Sequence, residues 1–312
     1  MQKKLDQKLI IRLPNWVGDA VMSLPAIMAL NDNKIDCTLI GKAWAKDLLS
    51  GTNLKIVTIP SNKFKQIKIL KAIDSQHLLL MTNSLSSAIV AKCARKKSIG
   101  MKTDGRSLLL RHAIHKKAGL HEVEYYWQLA QKASQIASNI IDQKLPDRVT
   151  LPLSDEAKKR ADIIIEQQKL TRGFILVCPM AAGLYHGQSK VWPHWSRLID
   201  EIQQQGRPVV TCPAPNELER CQSQFPKCTI IKDTSLSTLA AICAKARVVL
   251  SNDTGPMHIS TAVNPRTCGI LGVTNPTLTR PWGGNYLVNN ERGWPSVEEV
   301  LAWINEKMTT DR

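Results

Sequence analysis

Paired cysteine motifs are absent from this 312-residue chain. Its eight cysteines (37, 93, 178, 212, 221, 228, 243 and 268) include no C-x-x-C. Several fall inside apolar patterns, which predicts reduced core residues and not disulfides or zinc ligands. No apolar run reaches the roughly 18 residues of a membrane span, so no integral span is expected. The apolar stretch after Lys3-Lys4 is interrupted by Arg12, Asn15 and Asp19, unlike a signal peptide. The expected location is therefore the cytoplasm.

Other absences narrow the chemistry. Aromatics are only 5% of residues, with three Phe and four Tyr, so the interleaved basic and aromatic groove of a single-strand nucleic-acid binder is missing. No G-x-G-x-x-G fingerprint occurs, which counts against a nicotinamide or flavin dinucleotide enzyme. No G-x-S-x-G elbow occurs, which counts against acyl transfer. No His/Asp/Glu cluster has metal-ligand spacing and no Asp-x-Asp follows a strand, so neither a tightly held metal nor a cofactor is expected.

Acidic residues are scarce too: 26 Asp and Glu against 42 Lys and Arg, a net charge of +16. This excess implies an anionic partner, which could be nucleic acid, an anionic membrane surface or a phosphorylated substrate. Hydrophobic residues at 43% and charged residues at 22% describe a globular composition.

What is present is strand–helix alternation, which predicts parallel α/β sheets. Strands are expected at 8–13, 36–40, 54–59, 77–81 and 98–101, with helices to about 30, at 43–49, 63–73 and 85–94 between them. The stretch 102–120 reads as irregular and basic, and 122–141 as one long helix. Pro146, Asp147, Pro152 and Ser154-Asp155 mark a linker near 143–153. Two domains are therefore expected, 1–150 and 151–312. The second alternates again: helix 155–169, strand 174–178, a long loop 179–194, helix 195–205, strand 208–212, helix 217–225, strand 229–232 and helix 236–245. A final strand is expected at 267–271 and a C-terminal helix at 297–307.

The most informative stretch is Val248-Val249-Leu250-Ser251-Asn252-Asp253-Thr254-Gly255-Pro256-Met257-His258. It reads as a buried strand, a polar turn and a helix start. Asn252, Asp253 and Thr254 are N-cap types, and Pro256 suits a first helical turn. Gly255 permits close approach of a ligand to the backbone. Free N–H groups and the positive end of the helix dipole make such a turn a place for a diphosphate. The turn at 15–19 and the loop 179–190 also follow strands, where parallel sheets bind ligands.

Three further residues fit that setting. Asp19 begins the first helix; alone it reads as an ordinary first-turn acid, and beside a ligand as a general base. Lys190 ends a loop of small residues just before Val191-Trp192-Pro193. It is either a solvated lysine or a cation that neutralises a leaving diphosphate. His258, one helical turn after Thr254, could face the same ligand or serve the core.

Taken together these segments resemble the ADP-heptose:lipopolysaccharide heptosyltransferases of glycosyltransferase family 9. Pro14-Asn15-Trp16-Val17-Gly18-Asp19 with Met22-Ser23 is similar to the family's first-loop motif, in the form of its type II members. Thr82-Asn83-Ser84 and Thr103-Asp104-Gly105-Arg106 resemble its acceptor-side segments. Cys178-Pro179 through Lys190-Val191-Trp192-Pro193, and Ser251 through His258, resemble its donor loop and its nucleotide-sugar signature.

The resemblance implies a GT-B fold of two Rossmann-like, doubly wound domains facing across a cleft. The acceptor would bind the first and the ADP-sugar the second, and the C-terminal helix could pack back on the first domain. It implies inverting transfer of L-glycero-D-manno-heptose from ADP-heptose to a Kdo-lipid A type acceptor at the inner membrane surface, by a peripheral enzyme. By resemblance, Asp19 is the base. Lys190, Thr254 and Gly255 meet the diphosphate. Asp253 holds sugar hydroxyls, with His258 in support. Glu217 binds the ribose and Thr234 lies by the adenine. Asn83, Ser84 and Arg106 bind the acceptor. One segment departs from the family: Leu271-Gly272-Val273-Thr274-Asn275-Pro276 stands where Tyr-Gly-Pro-Thr is usual. Two other readings remain at this point, a different nucleotide-sugar transferase or epimerase and, from charge alone, a nucleic-acid binder.

Overall fold

A computed structural model describes residues 7–103, 105–289, 291 and 293–309. Asp104, in the second acceptor-side segment, lies outside them. The chain forms two compact units, Met1–Asp147 and Arg148–Arg312.

The first unit runs β1 (Lys8–Arg12), α1 (Val17–Met22), α2 (Leu24–Asp32), β2 (Asp36–Gly41), α3 (Trp44–Leu48), β3 (Lys55–Thr58), α4 (Lys63–Ala72), β4 (His77–Leu80), α5 (Leu85–Cys93), β5 (Lys97–Met101), a 3-10 turn (Arg106–Leu109), β6 (His112–Ile114) and α6 (Glu122–Ile136). Its six strands are all parallel, in the order β3-β2-β1-β4-β5-β6. The register pairs Ile11 with Leu79 and Arg12 with Leu80. Central strands are buried on both faces, so their sequences are continuous apolar runs and not alternating ones. Ile10, Leu78, Leu80, Ala88, Val90 and Ala91 form a core between the sheet, α4 and α5.

The second unit repeats the plan. It runs α7 (Asp155–Gln167), β7 (Ile175–Cys178), β8 (Leu184–Tyr185), β9 (Gln188–Ser189), α8 (Trp195–Gln204), β10 (Val209–Thr211), a 3-10 turn (Pro215–Glu217), α9 (Leu218–Gln224), β11 (Thr229–Ile230), α10 (Leu236–Lys245), β12 (Val248–Asn252), α11 (Gly255–Val263), β13 (Thr267–Ile270), α12 (Pro276–Thr279), β14 (Asn285–Leu287) and α13 (Val297–Thr309). The sheet order β11-β10-β7-β12-β13-β14 is again fully parallel. At Gly269 on β13 an added Cβ would lie 2.6 Å from Met257 Sδ, so glycine lets α11 sit close on the sheet. Val297, Val300 and Ile304 of α13 join the core that holds Trp192, Trp195 and Val248. The C-terminal helix is thus part of the second unit's core.

Several local expectations are corrected. The 102–120 stretch contains β6, which pairs with β5 through Gly100 and Ala113. The helix expected over 122–141 ends at Ile136, and Ser138 turns the chain with a left-handed φ of 59°. The loop 179–194 carries the antiparallel pair β8–β9. The strand at 267–270 is not the last, because β14 adds to its edge. These missed strands have two or three residues each, too few for a periodic signal. The first helix is split at Ser23, whose hydroxyl donates to Ala20 O at 2.7 Å.

Candidate active site

In each sheet the strand order reverses direction between two neighbours, β1 and β4 in the first and β7 and β12 in the second. Loops leaving such neighbours diverge and open a crevice at the C-terminal edge. The 14–19, 82–84, 178–193 and 251–258 segments leave these four strands, while 103–106 follows β5 and Glu217 and Thr234 follow β10 and β11.

In the second unit, Lys190 Nζ donates to Asp253 O at 2.9 Å, which joins the loop after β7 to the turn after β12. Thr254 is the N-cap of α11 but makes no side-chain cap bond. Its hydroxyl instead donates to Asn252 O at 3.3 Å. The start of α11 is therefore left to meet an anion, and Lys190 adds a full charge beside it. Asp253 is nearly buried. Its Oδ2 accepts from Thr279 Oγ1 at 3.0 Å, and its Oδ1 lies 3.9 Å from His258 Nε2.

Asn252 holds this arrangement together. Its side-chain oxygen accepts from Trp192 N at 3.0 Å and from Trp195 Nε1 at 3.1 Å, and its amide donates to Pro179 O at 2.7 Å. Both ends of the 179–194 loop are thereby tied to the end of β12. The Trp192 and Trp195 rings meet edge to face at 5.3 Å, and Trp192 Nε1 donates to Pro295 O at 3.0 Å. Each indole keeps a partner on burial.

In the first unit, Arg12 donates to Leu13 O and to Asn15 Oδ1, both at 2.8 Å, and shapes the loop ahead of Asp19. Burial lowers its pKa to about 10, which leaves it charged at neutral pH. Asp19 lies in the first turn of α1. Across from it, α6 presents Tyr125 and Tyr126. Burial pushes both phenols well above their usual range, and the Asp19 carboxylate adds to the effect.

Arg106 is fully buried. Its Nε donates to Met101 O at 2.8 Å, Nη1 to Thr82 O at 2.5 Å and Nη2 to Asn83 Oδ1 at 3.3 Å. Tyr125 Oη also bonds Asn83 Oδ1. A guanidinium can only donate, so the atom facing it must be the Asn83 oxygen, and the tyrosine must donate as well. The Asn83 amide nitrogen is left as a donor with no protein partner among the described residues.

Residues 64–302 match the family described as glycosyltransferase family 9 (heptosyltransferase). The chain belongs to glycosyltransferase family 9. It is 26% identical over 294 residues to a lipooligosaccharide heptosyltransferase 2 of Campylobacter jejuni, covering 88% of this chain and 84% of that one. It is 24% identical over 302 residues to the Escherichia coli lipopolysaccharide heptosyltransferase 2, covering 88% and 85%. The fold resembles the solved structure of E. coli ADP-heptose lps heptosyltransferase II, with a TM-score of 0.80, 22% identity, and coverage of 97% of this chain and 99% of that one. It also resembles E. coli heptosyltransferase WaaC with ADP, with a TM-score of 0.72, 19% identity, and coverage of 96% and 99%. The architecture is GT-B, and this family 9 chain is a glycosyltransferase.

Against that membership, the expected residues sort as follows. Lys190, Asp253, Thr254, Gly255 and His258 converge on one turn. Glu217 follows β10, and its carboxylate is bent back to accept from Ala214 N at 3.1 Å. Thr234 follows β11, next to Asp233 in a left-handed conformation with φ 54°. Ser84 caps α5, accepting from Ser87 N at 3.3 Å, while Asn83 points to Arg106 and Tyr125. Arg106 has no exposed surface and holds the 82–83 loop through its bonds to Thr82 and Asn83. Sequence reasoning missed Tyr125, Thr279 and the clamping role of Asn252. Asn252 stood inside a recognised motif, whereas Tyr125 and Thr279 carried no local signal.

Proposed function

We propose that this chain is an inverting heptosyltransferase that moves L-glycero-D-manno-heptose from ADP-heptose to heptosyl-Kdo-lipid A of the lipopolysaccharide inner core. One observation carries the donor reading. Thr234, Glu217 and the Asp253–Gly255 turn, to which Lys190 is bonded, follow β11, β10 and β12, and the sheet order there is β11-β10-β7-β12. They form a row along one sheet edge about 14 Å long at ordinary strand spacing. Adenine by Thr234, ribose by Glu217 and diphosphate between Lys190 and α11 would lie along that row in chemical order. The names of the relatives support the sugar and the pathway.

In this mechanism Asp19 takes the proton from the acceptor hydroxyl. The freed oxygen attacks the anomeric carbon from the face opposite ADP, and the bond to the β-phosphate oxygen breaks. The configuration inverts and ADP leaves with the bonding electrons. Lys190 and the N-terminus of α11 stabilise the charge that grows on the diphosphate. Asp253, fixed by Thr279, keeps lone pairs for sugar hydroxyls, and Asn83 offers a fixed N–H donor to the acceptor. The enzyme would work as a peripheral protein on the cytoplasmic face of the inner membrane, where such an acceptor resides.

The test is turnover of ADP-heptose with Kdo-lipid A and heptosyl-Kdo-lipid A by wild type and Asp19→Asn. Transfer abolished in the variant with donor affinity retained supports the mechanism, and the productive acceptor identifies the step. Full activity of Asp19→Asn would remove Asp19 as base. A second reading, another nucleotide-sugar-dependent GT-B glycosyltransferase, is favoured by the unusual 271–276 segment. It leads into α12 and Thr279, and so into the group that fixes Asp253. Binding of a different nucleotide sugar in a donor screen, with no use of ADP-heptose, would select it.

A further inference from the structure

Of the large apolar side chains exposed in the first unit, five follow strand ends on one edge of its sheet. Trp16 follows β1, Phe64 follows β3, Leu85 and Ile89 follow β4, and Leu108 follows β5. Phe64 is 79% exposed and Leu108 90% exposed. Four of the five share a face, because α4, α5 and the 3-10 turn at 106–109 pack side by side over one core. Leu85 and Ile89 are one helical turn apart and point the same way.

Lysines flank them. Lys63 and Lys65 follow β3 and Lys102 follows β5 on this edge, whereas Lys55, Arg95, Lys96 and Lys97 lie at strand starts on the other. Asp74 pairs with Lys8, at the start of β1, and so lies at the opposite end of the sheet. Lys63 and Lys65 flank Phe64 in the first turn of α4, which has no acidic residue. Cations there oppose the helix dipole and cost the helix a few tenths of a kcal/mol, so helix stability does not account for them. Lys42, near the same edge, lies 5.7 Å from the Trp16 ring centroid.

We infer that this edge of the first unit docks on an anionic lipid bilayer. Phe64, Leu85, Ile89 and Leu108 would enter the headgroup region, and Lys63, Lys65 and Lys102 would meet lipid phosphates. Apolar side chains flanked by lysines match the chemistry of such a surface. The same edge carries Asp19 and Asn83, so docking would present the acceptor site to a lipid-anchored sugar without drawing the lipid out of the membrane. The inference rests on the proposed function for the lipid character of the acceptor.

The experiment is co-sedimentation of the full chain with vesicles of phosphatidylethanolamine and phosphatidylglycerol, compared with pure phosphatidylcholine. Wild type is expected to bind the anionic vesicles and to lose binding in high salt. The double variant Phe64→Ser/Leu108→Ser should bind at least tenfold more weakly. Lys63→Ala/Lys65→Ala should fall by a similar factor, with less salt sensitivity. Ile163→Ser, an equally apolar exposed site on α7, should bind as wild type, and circular dichroism verifies that each variant is folded. Equal binding by wild type and both double variants, or no vesicle binding by wild type, overturns the inference. So does a patch that changes only self-association, which would assign it to a second copy of the chain. Transfer from ADP-heptose is assayed separately, so vesicle binding without transfer would retain the surface and reject the proposed function.

Discussion

Replacing Asn252 by alanine tests how the donor loop is held. Three groups lose their partner at once: Trp192 N–H, Trp195 Nε1–H and Pro179 C=O. Asn252 is fully buried, so water does not reach these groups without local opening. Each abandoned buried group costs about 1–3 kcal/mol, for an expected loss of about 4 kcal/mol. That is a large fraction of the 5–15 kcal/mol typical of a whole domain. Urea unfolding followed by circular dichroism measures it, and donor affinity should fall as well because Lys190 rides on the same loop.

The Asn252→Asp variant sharpens the test. A protonated carboxyl can still accept from both tryptophans and donate to Pro179 O, whereas the carboxylate faces that carbonyl with like polarity. Burial and the carbonyl both raise the folded-state pKa of the new acid above its unfolded value near 3.9. Its penalty is therefore full above the raised pKa, shrinks as pH falls below it, and is relieved below about pH 4. The alanine penalty lacks this recovery. If Asn252→Ala lies within about 0.5 kcal/mol of wild type, or if both variants respond alike to pH, the clamp reasoning is refuted.

Tyr125→Phe removes one of the two donors that orient Asn83. The acceptor KM should rise about fivefold while the donor KM holds, in line with roughly 1 kcal/mol for one hydrogen bond; an unchanged acceptor KM would sink the idea. Lys190→Ala should lower kcat by a factor on the order of 10² to 10³, with Lys190→Arg recovering part of it. Equal rates would show that Lys190 serves only its bond to Asp253 O. At pH 8, thiol labelling of the native protein should reach Cys93 first, because it is exposed, whereas burial pushes Cys37, Cys178, Cys228 and Cys268 up to about 12. Fast modification of any of those four would contradict their packing.

Sequence alone determined the two series of strands and helices and the loops that carry the chemistry. Apolar runs such as Leu78-Leu79-Leu80 and Val248-Val249-Leu250 have the length and composition of buried parallel strands, and this information is local. Helix starts were equally local, because Ser84, Ser154 and Ser235 cap through residues three positions on. Tertiary structure alone decided which strands are neighbours. Pairing β1 with β4 and β7 with β12 brings together segments dozens of residues apart, and no short-range pattern encodes that choice. It decided that Arg106 is enclosed behind Asn83, since burial depends on what packs around a side chain and not on its type. It also joined Thr279 to Asp253 and Tyr125 to Asn83, contacts that span 26 and 42 residues of chain. The short strands β6, β8, β9 and β14 exist only because a partner strand supplies their hydrogen bonds, so their own two or three residues could not announce them.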